Sequence, residues 1–319
     1  MSYRNHLPQL DGDLFLTDGG IETTLIFHEG LDLPAFAAFD LLKDEEGTEA
    51  LRRYYEPYAT LARENGVGFV LESPTWRASP RWAAELGYGE QELDALNRKA
   101  IALMEEIGDR YRSDGTPVVI SGCVGPHDDG YSPQTKLSAG AAQDYHATQI
   151  ATFGDTAADM VTAITMTYVD EAIGVTRAAG EAELPVAISF TLETDGRLPN
   201  GQSLGEAIGE VDDQTAGAPA YYMINCAHPT HFEDVIGERQ RWHERIRGLR
   251  ANASTKSHAE LDEATELDEG DPADLGARYA ALRAKLPALN VLGGCCGTDH
   301  RHVREVCNAW TAGATASAR

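Results

Sequence analysis

Basic residues are scarce in this chain. Its 319 residues carry 51 acidic side chains against 26 basic ones, a formal net charge of −25. An excess of that sign repels phosphate backbones and anionic headgroups, so nucleic acid and anionic membranes are not expected as partners. Only five of the basic residues are lysines. No run of 18 apolar residues occurs and the first eight residues are largely polar, so neither a membrane span nor a secretory signal is expected. A glycine-rich nucleotide turn, an internal repeat and a linker are also missing. Cysteine is sparse and odd in number, at five. That favours a reducing compartment and metal or redox roles over a disulfide framework. The expectation is a cytoplasmic protein of one domain over 1–319, whose 42% apolar content allows a sizeable core.

Short apolar runs recur with helical segments between them. Strands are expected over 14–18, 68–72, 118–122, 160–164, 185–191, 221–225, 246–251 and 290–293. Stretches with a period near 3.6 residues lie at 48–65, 91–112, 138–159 and 273–285. Gly66 stops the first, Ser138 starts the third, and Asp271-Pro272 heads the last. Eight strands alternating with helices, at about 40 residues per unit, give an α/β fold of the (β/α)8 barrel type. A doubly wound sheet is the alternative, disfavoured by the missing nucleotide turn. The longest irregular segment, 253–274, is crowded with acidic residues and reads as a solvated loop after the seventh strand. A cover over the barrel mouth is the sharper reading.

Two strand ends carry cysteine. Leu289, Val291 and Leu292 lead into Gly293-Gly-Cys-Cys-Gly297, and Met223-Ile-Asn leads into Cys226. Adjacent cysteines cannot easily bridge one another. Glycines let the backbone turn tightly enough to aim Cys295 and Cys296 at one point. Three sulfurs from two strand ends suit a soft cation, Zn2+ above all. The plain alternative is a pair of buried reduced thiols. Three protein ligands leave a tetrahedral zinc one open position, as catalytic sites do. Three thiolates also leave the centre net anionic, which suits a substrate thiol better than activated water. A thiol of pKa near 8.5 is already about 3% ionised at pH 7, so full ionisation is worth only about 2 kcal/mol. Positioning must supply the rest.

These strand ends, with Asp18-Gly19-Gly20 and Gly122-Cys-Val-Gly-Pro126, resemble the homocysteine S-methyltransferase family over about residues 10–312. That family comprises zinc-dependent thiol methyltransferases, including betaine- and S-methylmethionine-dependent members. The resemblance implies an enzyme that moves a methyl group from a small donor to homocysteine, giving methionine. S-methylmethionine or S-adenosylmethionine is favoured as donor, because no folate or cobalamin module fits in the chain. It implies Cys226, Cys295 and Cys296 as catalytic zinc ligands. Cys123 is expected to line the site and Cys307 to belong to the core.

For the amino acid end of the acceptor, Asp18 and Gly19 match the family's first-strand motif, and Asn225 and Asn252 match family asparagines; the alternatives are a turn-capping Asp18 and asparagines that only tie loops together. Trp76, just past the second strand, is a candidate to face a cationic donor, with plain packing as the equal alternative. His127, His228 and His231 are expected to be hydrogen-bonded loop residues. Two departures stand out. Ile164 occupies the place of a family glutamate that binds the ammonium, and Ala251-Asn-Ala-Ser254 replaces Pro-Asn-Ser-Gly. Glu72 and Glu193 are the carboxylates able to take over. Another thiol or a selenol is the enzymatic alternative acceptor; a non-catalytic zinc- or thiol-binding barrel is the alternative of another class. A homo-oligomer is compatible with the sequence.

Overall fold

The computed structural model describes residues 2–131, 133–237 and 239–317. Eight strands form a closed barrel in sequence order: β1 (Phe15–Leu16), β2 (Gly68–Glu72), β3 (Val118–Val124), β4 (Met160–Met166), β5 (Val186–Thr191), β6 (Tyr221–Asn225), β7 (Ile246–Ala251) and β8 (Val291–Gly294). Every neighbouring pair is parallel, and β1 closes on β8 through Phe15 opposite Val291. This is the expected (β/α)8 fold.

The strands read as apolar runs because both faces are buried. Phe15, Val70, Val119, Met160, Ala187, Met223 and Val291 meet inside the barrel, joined by Leu7 of the N-terminal segment. The opposite faces pack against the helices in a second, larger cluster. Two of the long helices begin at side-chain caps: Asp44 accepts from Gly47 N (2.8 Å) ahead of Glu45–Glu64, and Ser138 from Ala141 N ahead of Ala139–Gly154. Asp271 caps Pro272–Leu282 in the same way. Such caps satisfy backbone donors that the helix itself cannot.

The alternation is uneven in one place. Between β6 and β7, among the described residues, stand only the one-turn helix Pro229–Phe232 and the 3-10 turn Arg241–Arg245. Phe232 and Ile236 are the buried large aliphatic or phenyl side chains of that connection, one turn apart. They offer no face long enough to bury a full helix. Among the described residues no helix is long and apolar enough to cross a membrane.

Candidate active site

The C-terminal ends of the strands open into a cavity of about 450 Å³, a size usual for small-molecule sites. Cys226 follows β6, and Cys295 and Cys296 follow β8. Their three Sγ atoms lie within 4.8 Å of one another at the cavity wall. Zn–S bonds of about 2.3 Å in a tetrahedron need sulfurs about 3.8 Å apart, so small side-chain shifts bring this set onto one ion. As free thiols they share charge unequally. Hydrogen bonds from Cys295 and Cys296 pull Cys226 well below the usual thiol range, while Cys295 is pushed up to about 12 and Cys296 also upward.

Local backbone strain aims these groups. Cys226 has φ 52° and Thr165 φ 67°, a costly region for side chains bearing Cβ, especially branched ones. Thr165 lies where β4 bulges against β5 between Ala163 and Met166. Asn225 holds both features. Its Oδ1 accepts from Thr165 N (2.9 Å) and Ser189 Oγ (2.6 Å), and its Nδ2 donates to Thr165 Oγ1 (2.8 Å). Asn252 donates to the Cys226 carbonyl at 3.1 Å. Both asparagines are buried beside the sulfur loops and neither lines the cavity.

The Asp-Gly-Gly turn is clamped to the cysteine turn. Gly20 N donates to Thr298 O (3.0 Å), and Gly297 N to Thr23 Oγ1 (3.1 Å). A Cβ on Gly20 would stand 2.5 Å from the Cys295 carbonyl oxygen, closer than packed atoms tolerate. The two sequence motifs are one structural unit.

Asp18, just past β1, accepts from Tyr54 Oη at 2.9 Å. Its other oxygen faces Arg250 Nη2 at 2.8 Å, an ion-pair contact without the alignment of a hydrogen bond. Arg250 also donates to Glu72, to Gly294 O (2.9 Å) and to Gly19 O (3.0 Å). Burial pushes the Asp18 carboxyl up and the Glu72 carboxyl up to about 7, against the pull of Arg250. Burial also works against the guanidinium, yet the two carboxylates hold it firmly protonated. Glu72, expected as a spare ammonium receptor, is therefore engaged by an arginine. Glu193 does not line the cavity; its carboxylate lies 3.4 Å from His258 Nδ1.

Trp76 lines the cavity and donates to the Ile164 carbonyl at 3.3 Å; Ile164 is itself a wall residue. Cys123 lines the wall outside the sulfur cluster, and Cys307 is fully buried in the helix His300–Ser317. His127, His228 and His231 do not line the cavity, and His228 caps the helix Pro229–Phe232.

The acidic segment departs from the solvated-loop reading. Ser254, Leu261, Asp262, Ala264, Leu267 and Asp268 all line the cavity. Its short helix His258–Asp262 stacks His258 on Tyr131, ring centroids 4.0 Å apart, and Tyr131 Oη lies 3.6 Å from Cys296 Sγ. The apolar positions Leu261 and Leu267 draw the segment inward, a signal that its charge obscured.

Glu22, Arg77, Tyr131 and Arg250 are among the wall residues not singled out in the sequence. Arg250 had a readable signal, a charge at the end of an otherwise buried strand. Arg77 and Tyr131 sit on loops and Glu22 in the single turn Ile21–Thr23, where nothing local marks an inward side chain.

A closed barrel with a three-thiol cluster at its C-terminal mouth defines a class: barrels whose cavity wall gathers groups able to hold a metal ion. The chain belongs to the homocysteine S-methyltransferase family, which it matches over residues 15–310, and it is accordingly a methyltransferase. Its fold is that of the homocysteine methyltransferase MmuM from Escherichia coli. The oxidized form of that protein superposes with TM-score 0.74 at 20% identity, covering 94% of this chain and 99% of the other. The metallated form gives TM-score 0.70 at 19% identity over 93% and 96%. The apo form gives 0.64 at 20% over 97% and 99%.

Proposed function

We propose that this chain transfers a methyl group from a small donor to the thiol of homocysteine, giving methionine, with Cys226, Cys295 and Cys296 holding one zinc ion. The observation that carries the reading is the convergence of three Sγ atoms within 4.8 Å on the wall of a substrate-sized cavity. The donor set fits the metal: three soft ligands, with the cavity on their open side. Bound there, zinc would ionise the acceptor thiol and fix its sulfur.

The chain's own residues do the rest. Asn225 and Asn252 fix the loop that carries Cys226. The Gly20–Thr298 clamp fixes the loop that carries Cys295 and Cys296. Asp18, which matches the family's first-strand motif and lines the cavity, is the first candidate for the acceptor's ammonium, beside the guanidinium it already pairs with. Tyr131, Trp76 and the acidic segment wall the cavity and exclude water, which favours attack of an anionic sulfur on a cationic methyl donor. Asp129, Asp262, Glu266 and Asp268 on the same wall suit a sulfonium or ammonium donor, S-methylmethionine or S-adenosylmethionine first. The five free cysteines suit the cytoplasm.

The test is methyl transfer by the zinc-loaded protein, with homocysteine as acceptor and a panel of small donors. Methionine formed and abolished by chelation is the expected result. Zinc at one per chain with no methionine would sink the homocysteine assignment. That outcome would favour the second reading, the same transfer to another thiol or a selenol. Ile164 on the cavity wall, where the family has a glutamate, supports that alternative.

A further inference from the structure

Two arginines face the cavity, and they differ in what they hold. Arg250 spends its donors on Gly294 O, Gly19 O, Glu72 and Asp18. Arg77 is 7% exposed, yet among the described residues its one hydrogen bond is a long one, Nη1 to Asp128 O at 3.4 Å. Its Nε is buried with no partner. The guanidinium lies over two indoles, 4.2 Å from a ring centroid of Trp76 and 3.6 Å from one of Trp82.

That stacking has a directional consequence. Aromatic rings engage the faces of a guanidinium, whereas its five N–H groups point outward in its plane. Indoles can hold the charge without using the edge. Trp76 is itself fixed, through Nε1 to the Ile164 carbonyl and by the close approach of Gly125, whose Cβ would stand 2.7 Å from Trp76 Cδ1. Trp82 is tied to the Pro126 carbonyl at 3.4 Å. The edge is thus presented by a rigid mount. Nearby carboxyls do not occupy it: Asp128 pairs with Arg81, and Glu22, pushed up to about 8 by burial, is mostly neutral at pH 7. Asp129 acts on Arg77 through space and accepts from Tyr131 N at 2.9 Å.

We propose that Arg77, mounted between Trp76 and Trp82, is a carboxylate-binding residue of this cavity and holds the carboxylate of a small substrate by its free edge. A planar fork facing a carboxylate is the pairing that arginine geometry favours. The proposal rests on the reading that this cavity holds the substrates. Both homocysteine and S-methylmethionine carry a carboxylate, so the chemistry fits either one.

The experiment uses the full zinc-loaded chain and follows binding by calorimetry and tryptophan fluorescence. Butanoate is compared with butanamide, which matches it in size and lacks the charge. Wild type should prefer butanoate by at least about tenfold, the usual scale for a charge-assisted bond. Arg77→Gln should abolish the preference with zinc content unchanged and the chain still folded at the assay temperature, and Arg77→Lys should keep part of it. The same comparison then runs with homocysteine against 3-aminopropanethiol, and with S-methylmethionine against its decarboxylated analogue. Loss of discrimination in the first pair assigns the carboxylate to the acceptor, and in the second to the donor. A wild type with no preference for butanoate, or an Arg77→Gln variant that keeps it, overturns the proposal. Absent methyl transfer with the butanoate preference intact would remove the proposed reaction and leave this site standing.

Discussion

Arg250 Nη2 stands 2.8 Å from Asp18 Oδ1, and the same guanidinium donates to Glu72. The family's first-strand aspartate is therefore part of a buried triad that ties β1, β2 and β7 together. Removing the cation leaves two buried carboxyls uncompensated. Arg250→Met should cost about 3–5 kcal/mol by denaturant unfolding. Glu72→Gln in the same chain should recover part of that. A single variant within about 1 kcal/mol of wild type would mean that the carboxyls simply take up protons.

The sulfur cluster makes a sharper statement. Cys226→Ala, Cys295→Ala and Cys296→Ala should each lose zinc and activity. Cys123→Ala, outside the cluster, should keep both. Metal analysis of the four purified variants decides it; full zinc in Cys296→Ala would contradict a three-sulfur site.

Gly20→Ala tests the clamp between the two turns. The added Cβ meets the Cys295 carbonyl oxygen at 2.5 Å, and both partners are backbone in a bonded turn. We expect zinc affinity to fall by about 10- to 100-fold, as for other groups that orient metal ligands. A competition titration with a chromophoric chelator gives the number, and wild-type affinity would show that the turns move apart freely.

Ile164→Glu restores the carboxylate that the family carries at this place. If homocysteine is the acceptor and its ammonium points toward β4, the variant should bind it severalfold more tightly. Binding that stays equal or weakens would count against that orientation.

Glu22 gives a pH signature. Burial pushes its carboxyl from 4.5 up to about 8. Between those values the folded chain keeps a proton that the unfolded chain has released. Its contribution to stability is therefore intact below pH 4.5 and lost as pH rises through 8. Glu22→Gln should gain on wild type progressively from pH 5 to 8. Melting curves across that range check it, and a constant offset would place Glu22 in contact with water.

Much of the frame was legible from residue order. Most strand positions were readable because a strand buried on both faces is a short, largely apolar run whatever its neighbours; β7, with Arg247 and Arg250, is the least apolar of them. The β6–β7 connection was not, since a stretch with few apolar residues gives no period to read. The acidic segment was misleading for a related reason: its many carboxylates outnumber the few leucines that turn it toward the cavity.

The sequence by itself determined the barrel and the trio Cys226, Cys295 and Cys296, because strand ends, glycine turns and thiols are local features whose chemistry survives without coordinates. Only the tertiary structure decided what those residues meet. It put Arg250 between Asp18 and Glu72, and joined Gly20 to Cys295. It also stacked Arg77 between Trp76 and Trp82. Barrel closure brings together groups 231 residues apart, as with the Arg250 guanidinium and the Gly19 carbonyl. Pairings of that kind are set by strand register and the direction each loop side chain takes, which no local pattern encodes.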